Sequence, residues 1–163
     1  MERLAFRPLE EAETNKSIIF LAGPIQGTND WQARAIEILH DLNPDVAIAS
    51  PRRLTFDEAD FDYDQQVDWE TLHLRRAGRT GVILFWLARE EIPIPGRTYA
   101  QTTRFEFAEW VTQHKYMKAR IVVGIEEGYS GAKYIRKRLQ ETPDIPIVDN
   151  LEEVCMEALK KIK

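Results

Sequence analysis

Two acidic segments hold the residue types best suited to chemistry in this chain. Glu106 stands in Thr102-Thr103-Arg104-Phe105-Glu106, at the opening of a predicted helix that follows an apolar strand and a polar loop. In open α/β sheets, ligands bind at the carboxyl ends of strands, where such loops sit, so a glutamate fixed there can serve as nucleophile or base. The second segment, Asp68-Trp69-Glu70, puts two carboxylates around one tryptophan on the preceding helix. Two residues apart on a helix, they point to different faces, so one is expected in solvent while the other can reach the crevice. Both segments also have a plain structural reading. Thr103-Arg104-Phe105-Glu106 fits a capping box, with Thr102 or Thr103 opening the helix and Glu106 in its first turn. Asp68 and Glu70 fit equally well as surface helix residues.

The elements that must position these groups alternate regularly. Ser17 to Ala22 reads as a buried strand, followed by a helix from Asp30 that ends at Asn43-Pro44. Val46 to Ala49 is a second strand, and Arg52 to Tyr63 an acidic loop containing Phe56 and Phe61. A helix from Asp64 to Ala77 is expected to end at Gly78, ahead of the Thr80 to Leu87 strand. The Glu106 helix, a strand over Arg120 to Ile125, a helix over Ala132 to Leu139, a strand at Ile145 to Val148 and a helix from Asn150 complete the pattern. Alternation of this kind implies right-handed βαβ crossovers and a parallel sheet. The expected fold is α/β: one flavodoxin-like, Rossmann-like three-layer domain over 17–163, with helices on both faces of five strands in the order 2-1-3-4-5. Residues 1–16 read as an N-terminal arm. A crevice between the first and third of these strands would be lined by Gly23 to Asn29 and by Ala88 to Thr103.

Composition bounds the function. With 163 residues, 44% hydrophobic and 30% charged, the chain reads as one soluble domain. A net charge of −5, with both signs interspersed, leaves no basic face for a nucleic-acid polymer. Cys155 is the only cysteine and lies in an apolar helical pattern, so an intramolecular disulfide is excluded and a reducing, cytoplasmic location is expected. The N-terminus lacks the apolar core of a signal peptide, and no segment is long enough to span a bilayer, so no membrane partner is expected. His40, His73 and His114 fall on three helices without zinc-ligand spacing and read as surface or core-edge residues; no metal and no cofactor are expected. The Gly23 to Asp30 loop has neither dinucleotide-fold nor P-loop spacing. A receiver domain would need an aspartate where Leu87-Ala88 stands.

Four motifs in order carry a resemblance: Phe20-Leu21-Ala22-Gly23-Pro24-Ile25, Val67-Asp68-Trp69-Glu70, Phe85-Trp86, and Thr103-Arg104-Phe105-Glu106-Phe107. From about Ser17 to Gly124 the chain resembles the nucleoside 2-deoxyribosyltransferase-like superfamily, which includes nucleotide N-glycoside hydrolases. The resemblance implies a nucleoside or nucleotide substrate, attacked at C1′ by Glu106 to form a glycosyl-enzyme ester, with Thr103 supplying the T-x-x-E threonine. It implies that Glu70, or second to it Asp68, protonates the departing base. Carboxyl groups so employed lie roughly 5 Å apart in retaining enzymes. The acid needs an apolar setting to keep its proton, which Trp69 or Trp86 could provide. Gly23, Pro24 and Ile25 would meet the base.

Two family positions differ here. An acidic residue that often precedes the nucleophile by about six positions is replaced by Ala100, and an aspartate heading the third strand by Gly81. Tyr99 and Gln101 could take over sugar or base contacts, and Arg97 and Arg104 would suit a phosphorylated ligand. Arg97 and Arg104 read equally well as solvated residues. The resemblance further implies a homo-oligomer, to which the Arg52 to Tyr63 loop could contribute. The alternative is a non-catalytic domain that senses a nucleotide or an NAD-like ligand in the same crevice, which the missing acid at Ala100 favours; a third reading is a scaffold in which Glu106 only caps.

Overall fold

A computed structural model describes residues 5–8, 10, 15–55 and 57–162; Phe56 and much of the proposed N-terminal arm lie outside the described residues. In chain order the elements are β1 (Ala5–Phe6), β2 (Ile18–Ala22), α1 (Trp31–Leu42), β3 (Ala47–Ala49), α2 (Tyr63–Thr80), β4 (Val82–Leu87), α3 (Gln101–Met117), β5 (Ile121–Ile125), α4 (Ala132–Leu139), β6 (Ile147–Val148) and α5 (Leu151–Lys161). A single 3₁₀ turn, Glu58–Asp60, interrupts the acidic loop.

The strands form one parallel sheet in the order β1-β3-β2-β4-β5-β6. The five expected strands keep their expected order, and the sheet has a sixth. Ala5–Phe6, read from sequence as part of an arm, pairs with Ile48 and Ala49 at the edge beside β3. Two residues are too short for a periodic signal, which is why composition hid them.

Alternation along β2 and β4 divides the core between two layers. Ile18, Phe20, Ile83 and Phe85 pack beneath α2, α3 and α4. Ile19, Leu21, Val82, Leu84 and Trp86 pack beneath α1 and α5. Cys155 is fully buried in the second layer. The three histidines are buried rather than at the surface, and one ring nitrogen of each meets a backbone carbonyl: His40 at Val46, His73 at Trp69 and His114 at Ala119.

Two helix ends differ from the sequence reading. Gly78 lies inside α2, which runs on to Thr80. A Cβ there would stand 2.2 Å from Trp110 Cζ3, so the glycine is a close-approach site between α2 and α3 rather than a terminator. The helix that carries Glu106 begins at Gln101, with Ala100 as N-cap in the left-handed region at φ 55° and without a side-chain cap. Thr103 is buried in its first turn and does not open the helix, so the capping box does not form. Glu106 is the sixth residue of α3, in the second turn.

An exposed helical glycine changed to alanine gains about 1 kcal/mol. At Gly78 the sign should reverse: urea denaturation of Gly78→Ala is expected to show a loss of roughly 1–3 kcal/mol from overpacking against Trp110.

Candidate active site

β2 and β4 are neighbours whose connections leave in opposite directions, the arrangement that opens a crevice beyond their carboxyl ends. Its floor is fixed by close packing. A Cβ on Gly23 would stand 2.3 Å from the Trp86 carbonyl and 2.6 Å from the Trp31 ring, so only glycine fits directly after β2. The loop that follows is tied down by its own carbonyls. Pro24 accepts from Trp31 Nε1 at 2.8 Å, and Ile25 and Asn29 accept from Arg52 Nη2 at 2.9 and 3.0 Å. Arg52 Nε also meets Gln32 Oε1 at 2.9 Å and Asp30 Oδ1 at 3.1 Å. Burial lowers the pKa of this guanidinium from its ordinary value, opposed by Asp30.

The second loop is stapled to the first. The Gly27 carbonyl accepts from the amides of Glu91 and Ile92 at 2.8 and 3.1 Å, and Asn29 Nδ2 donates to Glu91 Oε1 at 3.0 Å. Arg97 donates to Gln26. The Tyr99 hydroxyl, beside Thr28, donates to the Ala88 carbonyl at 2.6 Å, and burial pushes its pKa up to about 12.

The two acidic segments lie on α2 and α3, which pack on the same face of the sheet. Asp68 is exposed, whereas Glu70, about 200° round the helix, is half-buried and turned inward. Gln66 Nε2 donates to Glu70 Oε1 at 2.6 Å. Glu106 is likewise half-buried. Burial is the first cause that lifts its pKa to about 8, and the negative charges of Glu70 and then Glu109 add to it. Burial raises Glu70 as well, against the Gln66 hydrogen bond. Burial raises both carboxyls and the Glu70 charge raises Glu106 further, so the ionisation of Glu106 is coupled to that of Glu70.

Other residues singled out in the sequence fall elsewhere. Trp86 enters the opposite layer, so of the two tryptophans only Trp69 shares the face of the pair. Trp69 stacks on His73 at 4.0 Å and donates to the Glu10 carbonyl at 3.0 Å. Arg104 leans away, over Tyr129 at 5.7 Å, with its Nη2 3.3 Å from the Ser130 carbonyl. Gln101 and Arg97 are exposed. Gly81 would bring a Cβ within 2.0 Å of the Ile18 carbonyl, which leaves no room for an aspartate at the head of β4. Two surface depressions lie away from the pair. One of about 350 Å³ borders Trp86 and Asn150, and one of about 340 Å³ lies on the outer face of α3 near Phe105. Sequence reasoning missed Gln66, although its position four residues before Glu70 puts both on one helix face. It also missed Arg53, whose place beside Gln66 has no local signal.

A family model described as nucleoside 2-deoxyribosyltransferase like matches residues 16–129, a span that holds both acidic segments and both crevice loops. The chain belongs to the nucleoside 2-deoxyribosyltransferase-like family. Comparison with curated proteins finds no match. Family membership points to glycosyl transfer and to a nucleoside as the class of molecule bound. Among the described residues, no helix is long and apolar enough to cross a membrane.

Glu106 sets up a stability effect of definite sign. Its folded pKa is raised, so the folded state holds a proton that the unfolded state gives up near pH 4.5. Stability is therefore lost as pH climbs from about 4.5 to about 8. Glu106→Gln should melt higher than wild type, by about 1–3 kcal/mol above pH 8, with the gap closing toward pH 4; calorimetry across that range checks it.

Proposed function

We propose that this protein cleaves the N-glycosidic bond of a nucleoside or nucleotide through a glycosyl ester on Glu106, passing the sugar to another base or to water. The observation that carries this reading is the Glu106 and Glu70 pair, two half-buried carboxyls on adjacent helices, both inside the span that the family model matches. A Glu106 oxygen attacks C1′ as the C1′–N bond breaks. The bonding electrons leave with the base nitrogen, which takes the proton from Glu70. An acceptor base or water then attacks C1′, Glu70 removes its proton, and the Glu106 carboxylate departs. Retention follows from two displacements at one carbon.

The anion at Glu106 does its work when C1′ carries oxocarbenium-like positive charge. In the free protein the raised pKa of Glu106 favours keeping the pair's proton there. The reactive arrangement has the same total charge, with the proton on Glu70 instead. Positive charge growing at C1′ stabilises that arrangement, so the pair needs no proton from solvent to become competent. Trp69 supplies apolar packing on the Glu70 side. Gly23, Pro24 and Ile25 border the base, and Tyr99, Gln101 and Thr103 are the groups we assign to the sugar side. Arg97 and Arg104, engaged with Gln26 and with Tyr129 and Ser130, would have to exchange partners to meet a phosphate. Tyr63, Val67 and Leu72 of α2 and Phe105 of α3 are exposed apolar side chains that fit assembly into a homo-oligomer.

Incubation with a panel of nucleosides and 5′-nucleotides, followed by chromatography of the released base, tests the reading. Glu106→Ala should reduce release by about 10³-fold or more. In wild type, release should decline above pH 8 as the pair loses its last proton. Undiminished release by Glu106→Ala would refute the ester. A non-catalytic nucleotide- or NAD-sensing domain is the second reading, favoured by Ala100, which offers no carboxylate to sugar hydroxyls. Its signature is ligand binding without free base, unaffected by Glu106→Gln.

A further inference from the structure

Gln66 is buried in the first half of α2, between the loop after β3 and Glu70. Arg53 Nε donates to its Oε1 at 3.0 Å. Its Nε2 donates to the Pro51 carbonyl at 3.1 Å and to Glu70 Oε1 at 2.6 Å. A guanidinium only donates and a backbone carbonyl only accepts, so the amide can adopt just one of its two orientations. Glu70 therefore faces an N–H donor, never the amide oxygen. That donor favours a carboxylate acceptor at Glu70, and the Arg53 charge behind it polarises the amide in the same sense. Glu106 has no such donor among the described residues; the groups acting on it are Glu70 and Glu109, both anionic. His73, one turn beyond Trp69, is held toward its neutral form by burial, so it supplies no competing cation.

We propose that Gln66 is a positioning residue that orders the pair: by turning only N–H donors toward Glu70 it holds that carboxyl as the acceptor and leaves the shared proton on Glu106 in the free protein. The catalytic meaning of this order rests on the reading given above, because only a glycosyl transfer through Glu106 requires the proton to cross between the two. Gln66 then acts through Glu70 and touches no substrate. It sets how far the resting pair stands from its reactive arrangement, and substrate charge must overcome that bias.

The test is a carboxyl ¹³C NMR titration of glutamate-labelled protein, with the two signals assigned from Glu70→Gln and Glu106→Gln. In Gln66→Leu the Glu106 midpoint should fall and the Glu70 midpoint rise, each by about one pH unit. Arg53→Met removes the charge behind the amide, whose orientation Pro51 still holds, and should move both midpoints in the same directions by less. Midpoints that stay put in whichever variant melts cooperatively overturn the proposal, even if the melting temperature drops, because a purely structural Gln66 would give that result. Base release by wild type is measured on the same sample. Shifted midpoints without turnover would reject the glycosyl reading while sustaining this one; turnover with fixed midpoints would do the reverse.

Discussion

Two carboxyl groups withdrawn from water and set against each other cannot both be charged at modest cost, and this constraint organises the centre of the molecule. Burial raises each pKa, and the negative charge of Glu70 makes the ionisation of Glu106 harder still. The fold tolerates the pair because α2 and α3 are anchored on a sheet whose central strands are fully buried. Close contact of Gly78 with Trp110 brings the two helices together. The tension is local and its support is distributed.

The crevice loops show the opposite strategy. Around the pair, charges are left under-compensated; in the loop after β2, the carbonyls of Pro24, Ile25, Gly27 and Asn29 all accept hydrogen bonds. Arg52 alone reaches two loop carbonyls, Gln32 and Asp30. A rigid rim beside a strained centre suits a site in which a ligand must be placed accurately while a proton changes hands. The left-handed Ala100 at the head of α3 belongs to the same pattern, since a non-glycine residue there costs about 1 kcal/mol.

Much of this was legible in the residues. Continuous apolar runs such as Val82 to Leu87 announce buried parallel strands, and the alternation with amphipathic helices gives the strand order. Asp30 and Asn150 cap their helices through side-chain oxygens, as their types suggest. The start of α3 was misread because Thr103-x-x-Glu106 satisfies a local pattern while tertiary packing draws Thr103 inward. Gly78 was misread for the same kind of reason, since its partner, Trp110, lies on another helix. The separate fates of Trp69 and Trp86 follow from strand and helix phase, which tell which face a ring takes but not which face holds a cavity. Gln66 and Arg53 were invisible in function because their meaning comes only from the company of Glu70.

The short edge strand β1 has a reach beyond its size. Arg7, one residue past it, donates from Nη1 to the Arg52 carbonyl at 2.7 Å, and the Phe6 carbonyl receives the Ser50 amide at 2.9 Å. The same Arg52 grips the rim of the crevice on its other side. Residues 5–7 thus act as a tether on Arg52, the hub of the loop after β2, so the edge of the sheet and the rim of the crevice are joined across forty-five positions of the chain.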